Sequence, residues 1–105
     1  MLLNAFPLQV VANCSVLVVT AASHDEARDA LRRGSAIGHE PTAAILATIL
    51  GEPVPTARVT LPTTTEGDVV VAQYSGPRLP EGATELPPGA VIEFRRVQWR
   101  PAVTT

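Results

Sequence analysis

Cys14 is the only cysteine among 105 residues, so one copy of the chain can form neither an internal disulfide nor a cysteine-based zinc site. Two histidines, His24 and His39, are too few for a histidine-rich metal centre. Aromatic residues make up only 4% of the chain, and no apolar run approaches the length of a membrane span. The opening Met1-Leu2-Leu3-Asn4-Ala5-Phe6 lacks the basic flank and small-residue cleavage site of a secretory signal. The expected location is therefore cytoplasmic, with no membrane partner. Basic residues number 8 against 10 acidic ones, which argues against a protein that tracks DNA or long RNA through many phosphate contacts. A small anionic ligand stays open, because a pocket needs only a few well-placed cations. Walker-type, Gly-x-Gly-x-x-Gly, Gly-x-Ser-x-Gly and His-Glu-x-x-His motifs are all missing. The carboxylates are not clustered as a two-metal phosphodiesterase requires. No cofactor is expected, and phosphodiester chemistry on this chain is expected to run without metal.

What is present packs well. With 46% hydrophobic and 17% charged residues, the chain predicts one folded domain over 1–105. Residues 2–6 suit a brief buried strand ended by Pro7, and 7–13 fit a turn or a single helical turn. Ser15-Val16-Leu17-Val18-Val19-Thr20 is β-branched and almost continuously apolar, the pattern of a central strand covered on both faces. Ser23 and Glu26 form a capping box, with Ala27, Ala30 and Leu31 as the apolar stripe and Arg32-Arg33-Gly34 as the stop. Pro41 opens a second helix behind His39 or Glu40 as cap. That helix is apolar on most of its surface, hence buried, and Gly51 closes it. Residues 57–61 alternate as a strand, 62–67 read as a hairpin loop, and 69–74 and 91–99 as two further strands. The segment 76–89 is a Pro- and Gly-rich irregular loop, and 103–105 a frayed end. The order β, β, α, α, β, β, β predicts a single α/β domain: a mixed sheet of about five strands with helices packed against it.

His39 is the residue with most chemical promise. It follows Gly38, which permits close backbone approach, and stands at the mouth of a buried helix whose free N–H groups favour a phosphate. A histidine so placed can protonate a leaving oxygen. The plain alternative is that His39 only caps or packs at the helix start. Arg78 is suited to clamping a phosphate, with Glu81 orienting the arginine or a ribose hydroxyl; the alternative is a solvated ion pair in a loop. Arg95, Arg96 and Arg100 are read as blunting a sheet edge, Trp99 as packing, and His24 as facing solvent.

Three separated segments, taken together, resemble the viral anti-CRISPR ring nucleases. They are Leu3-Asn4-Ala5-Phe6, Ala36-Ile37-Gly38-His39-Glu40-Pro41-Thr42 and Arg78-Leu79-Pro80-Glu81-Gly82, beside family patterns close to N-A-F-S, I-G-H-D-S-T and R-L-E-E-G. Arg58-Val59 matches an Arg-Val strand of that family, so the likeness runs through nearly the whole chain. The resemblance implies a homodimer that binds a cyclic oligoadenylate, cyclic tetra-adenylate, on its two-fold axis. It implies metal-free cleavage to linear products with a 2′,3′-cyclic phosphate, which switches off type III CRISPR signalling. Carried over, His39, Arg78 and Glu81 are the catalytic residues; Asn4, Ala5, Phe6, Gly38, Thr42 and Arg58 line the substrate site. Departures are Pro7 and Pro41 where the family has serines, Glu40 for an aspartate and Pro80 for a glutamate. The helix that usually precedes the last strand gives way to Thr84-Glu85-Leu86-Pro87-Pro88-Gly89. Two other functions compete: a protein that binds a cyclic nucleotide without cutting it, and a structural protein of a mobile element with no nucleotide ligand.

Overall fold

Leu2 and Leu3, the second and third residues of the chain, lie deep inside the sheet of the computed structural model, which describes residues 1–102. They form β1 (Leu2–Leu3), joined by β2 (Ser15–Ala21), β3 (Ser35–Ala36), β4 (Gly67–Ser75) and β5 (Val91–Pro101). The sheet order is β2-β5-β4-β1-β3, with β1 parallel to β3 and β4, and β5 antiparallel to β2 and β4. Two helices, α1 (His24–Arg33) and α2 (Glu40–Leu50), complete a single α/β domain with a mixed five-stranded sheet. One turn of 3-10 helix, Leu8–Val10, follows β1. The expected frayed end at 103–105 lies outside the described residues.

The helices form for the expected reasons. Ser23 Oγ accepts from the Glu26 amide at 3.1 Å while Glu26 Oε1 accepts from the Ser23 amide at 3.3 Å, closing the capping box. Asp25 and Glu26 sit in the first turn of α1 and Arg32 and Arg33 in the last, each charge matching the helix dipole. Helix α2 starts one residue after His39, carries Pro41 in its first turn, and ends at Gly51 in the left-handed region, φ 70°. Arg28 of α1 donates from Nε to the Leu50 carbonyl at 2.8 Å, which binds the end of α2 to α1.

Alternation then sorts the sheet residues to two faces. Leu2, Val70, Ala72 and Phe94 pack with Ala27, Ala30, Ala43, Leu46 and Leu50 on the helix side. Leu3, Val69, Val71, Val97 and Trp99 turn to the other side, covered in part by Phe6, Val10, Val11 and Leu61. Among the described residues neither α1 nor α2 covers that second face. It is left open beyond the short N-terminal cover.

Three expectations fail on physical grounds. Residues 57–61 form no strand: the nearest pairing is an isolated parallel bridge, Ile37 to Thr56, just before the segment. Pro53, Pro55 and Pro62 flank it and bring no N–H donors. The loop at 62–67 is therefore not a hairpin, and Thr64 bridges Val11 instead. The fifth strand is β3, read from sequence as a connection. Second, β2 is an edge strand, not a central one, with Val16, Leu17, Val18 and Val19 between 37% and 59% exposed. Third, Arg95, Arg96 and Arg100 blunt no edge, because β5 lies between β2 and β4.

Candidate functional site

The open face carries a cavity of about 650 Å³. Its floor comes from alternate residues of three adjacent strands: Val19 of β2, Arg95 and Val97 of β5, Val71 and Gln73 of β4. Its rim joins Asn4, Ala5 and Phe6 after β1, His39 and Thr42 at the start of α2, and Tyr74, Arg78 and Leu79 at and beyond the end of β4. A second cleft of about 380 Å³ shares His39, Arg78 and Leu79 and adds Pro41, Pro80 and Glu81. Residues more than seventy positions apart in sequence thus meet at one place.

Local chain structure explains the meeting. The parallel neighbours β1, β3 and β4 all run the same way, so the segments leaving them emerge at one end of the sheet, as in other open α/β sheets. Asn4 leaves β1, Gly38 and His39 follow β3, and Arg78 follows β4. Asn4 Oδ1 accepts from the Gly38 amide at 3.4 Å, which links two of these segments directly. Arg58 Nε donates to the Gly38 carbonyl at 3.2 Å, so Arg58 reaches the turn although it lies on no strand. At the base of the third segment, the Tyr74 hydroxyl donates to the Pro77 carbonyl, one residue before Arg78. Gly76 takes φ 149°, and a Cβ there would stand 2.7 Å from that of Ala90, so the turn needs glycine.

Each residue singled out from sequence has a definite place. His39 occupies the position before α2 with extended backbone and makes no capping bond; its Nδ1 lies 2.8 Å from Thr42 Oγ1. Thr42 is the only buried polar side chain among the described residues, 6% exposed. Arg78 and Glu81 line one cleft with His39 but form no ion pair with each other. The chain's cations divide sharply. Arg28, Arg32, Arg33, Arg95 and Arg96 pair with Asp25, Glu52, Asp29, Glu93 and Asp68. Arg58, Arg78 and Arg100 have no carboxylate partner among the described residues. Arg78 stands on the rim with His39, while Arg58 lines neither cleft and reaches this end only through the Gly38 carbonyl.

Sequence reading missed Gln73, Tyr74 and Arg95 in the cavity, and the apolar floor of Val19, Val71 and Val97. The alternation of β4 and β5 could have grouped these residues on one face. Trp99 packs as expected, and its Nε1 donates to Thr64 Oγ1 at 3.2 Å. His24 is exposed, its ring edge-on to Phe94. Among the described residues no helix is long and apolar enough to cross a membrane. No group of three or more His, Cys, Asp or Glu is arranged to hold a metal ion there.

Comparison with known proteins agrees with this architecture. A family model described as STIV B116-like matches residues 1–94. The solved structure of B116 of Sulfolobus turreted icosahedral virus (STIV) superposes with a TM-score of 0.70 at 20% identity, covering 91% of this chain and 95% of that one. At that identity the likeness establishes the fold. No curated protein matches the sequence.

Proposed function

The chain belongs to the STIV B116-like family, and from that premise we propose that it is a metal-independent ring nuclease acting on cyclic tetra-adenylate as a homodimer. The observation that carries this reading is the convergence of His39, Arg78, Glu81, Asn4 and Thr42, from separate segments, on two adjoining clefts of the open sheet face. A structural protein without a small ligand has no need of an unpaired arginine and a histidine gathered on one rim.

In this reading the RNA supplies its own nucleophile. The 2′-hydroxyl of one adenosine attacks the adjoining phosphorus and its proton passes to solvent. The P–O5′ bond breaks, its electron pair goes to O5′, and O5′ takes the proton from Nε2 of the His39 imidazolium. The products are a 2′,3′-cyclic phosphate and a 5′-hydroxyl. Arg78 holds the non-bridging oxygens as charge grows on them, and Glu81 orients Arg78 or a ribose hydroxyl. Arg58, Asn4 and the backbone around Gly38 hold the ligand. The apolar floor, with Ala5 and Phe6 on the rim, suits the faces of adenine rings.

The homodimer is supported by β2. Its seven residues carry no charge, and four adjacent apolar side chains are exposed at a sheet edge, which natural proteins ordinarily blunt or cover. Val19 belongs both to that edge and to the cavity floor, so a second copy on β2 borders the site. A two-fold ligand then meets the same residues from each protomer.

The test is single-turnover incubation of labelled cyclic tetra-adenylate in EDTA, wild type beside His39→Ala. Cleavage by the wild type, slowed about a hundredfold or more in the variant, is the expected result for a general acid. Tight binding with no cleavage by either protein overturns the nuclease reading in favour of a messenger-binding protein. Refusal of this and other ring sizes overturns the nucleotide reading altogether.

A further inference from the structure

The hydrogen bond between His39 and Thr42 has a direction that the neighbouring carbonyls favour. Thr42 is 6% exposed at the cavity rim, and the one partner of its Oγ1 among the described residues is His39 Nδ1 at 2.8 Å. A threonine in a helix ordinarily returns its hydroxyl hydrogen to the carbonyl four residues back. For Thr42 that residue is Gly38, whose carbonyl instead accepts from Arg58 Nε. The carbonyl three residues back, that of His39, accepts from the Ala43 amide. A buried hydroxyl hydrogen left without an acceptor is costly, and Nδ1 is the acceptor at hand.

We infer that Thr42 is a positioning residue: its hydroxyl donates to Nδ1 and holds the neutral His39 ring in the Nε2–H tautomer. The nitrogen free to face the cavity is then a hydrogen-bond donor and not a lone pair. This polarity suits an anionic oxygen, as Arg78 on the same rim does. The same hydroxyl accepts from Nδ1–H when the ring takes up a second proton, so Nε2 carries a hydrogen in both charge states. The inference deepens the proposed function by fixing the orientation of the ring that the acid step uses, but its first test needs no nucleotide.

That test is long-range proton–nitrogen NMR of the two imidazoles in the nitrogen-15-labelled full chain, at a pH where both rings are neutral. His24 is exposed, makes no ring-nitrogen hydrogen bond among the described residues, and reports the unconstrained tautomer mixture. The expected result is His39 wholly Nε2–H in the wild type, a mixture like that of His24 in Thr42→Val, and recovery in Thr42→Ser. Backbone amide spectra that match between variants certify the fold. A His39 ring in the Nδ1–H form, or a Thr42→Val protein with the wild-type pattern, overturns the inference.

The second readout is cleavage of cyclic tetra-adenylate. Thr42→Val is expected to slow single-turnover cleavage by up to about 100-fold at saturating protein, the cost of a loosened reacting group. Thr42→Ser is expected to retain the rate. Absence of cleavage in the wild type removes the proposed function and leaves the tautomer result standing on its own. Full activity in Thr42→Val removes the positioning role even if the ring is held as described.

Discussion

Arg58 Nε and the Gly38 carbonyl oxygen lie 3.2 Å apart, and a Cβ placed on Gly38 would come within 3.2 Å of Arg58 Cγ. The residue before His39 is therefore held by an arginine from a segment that belongs to no strand. Gly38 is needed so that this side chain can lie across the turn. The arginine is flexible and exposed, so it yields when crowded. Gly38→Ala is expected to displace Arg58 with little loss of fold stability. Binding of the cyclic nucleotide weakens by about 1.5–3 kcal/mol, the worth of a charged hydrogen bond. Arg58→Ala is expected to do the same. Calorimetric titration beside a thermal melt separates the two effects; a large drop in melting temperature with unchanged affinity contradicts the assignment.

Gly67 begins β4 opposite Trp99, and here no neighbour can yield. A Cβ at Gly67 would lie 1.9 Å from Trp99 Cζ2, inside the indole ring. The ring is buried and anchored by Nε1 to Thr64, and its edge meets Phe6 at 5.7 Å between centroids. Gly67→Ala is expected to cost about 1–3 kcal/mol or more by overpacking, read as a lower urea midpoint with an unchanged slope. A neutral result would mean that the indole is not fixed where it is described.

These two glycines show how differently the parts of the molecule could be read from sequence. Helix α1 was legible because its signals are local: Ser23, Glu26, Arg32 and Gly34 each act within a turn. β3 was not, because Ser35-Ala36 carries no strand pattern and is held by its parallel neighbour β1. β2 misled for a physical reason. A run such as Val16-Leu17-Val18-Val19 reports apolar character alone, and here an exposed edge strand carries it. The rim of the site was legible through Asn4, His39 and Arg78, whereas Gln73 and Arg95 depend on which sheet face the helices leave open. That choice is made by tertiary packing.

Acid should weaken the fold through Asp68. The Arg96 guanidinium donates to its carboxylate from Nε at 3.0 Å and Nη2 at 2.5 Å, and holds the carboxyl below its ordinary value. The carboxylate thus binds protons less readily in the folded chain than in the unfolded one. Its contribution is fully present above the ordinary carboxylate range and is lost as pH falls through and below about 4. Asp68→Asn is expected to flatten the stability curve between neutral pH and about pH 3, measured by urea titration at several pH values. An unchanged slope would show that the pair does not couple to folding.

The edge at β2 gives the sharpest test of self-association. Hydrogen bonds from the Ala102 amide to the Cys14 carbonyl at 2.8 Å and from the Ala22 amide to the Phe94 carbonyl at 3.0 Å frame the β2–β5 ladder. By alternation, the backbone N–H and C=O groups of Leu17 and Val19 point away from β5. A second copy approaching antiparallel about Val18 pairs Leu17 with Val19 of the partner subunit, and the open faces of both copies lie on one side. Every residue of β2 is uncharged, so nothing opposes the approach. Val18→Lys puts two ammonium groups side by side on that axis. Because Val18 is 43% exposed, the substitution is expected to change the stability of a single copy by no more than about 0.5 kcal/mol. Light scattering at micromolar concentration is expected to give a dimer for the wild type and a monomer for the variant. A dimeric variant would place the interface elsewhere. A monomeric wild type would leave each cavity with only its own His39 and Arg78, and the two-fold ring with one protomer to hold it.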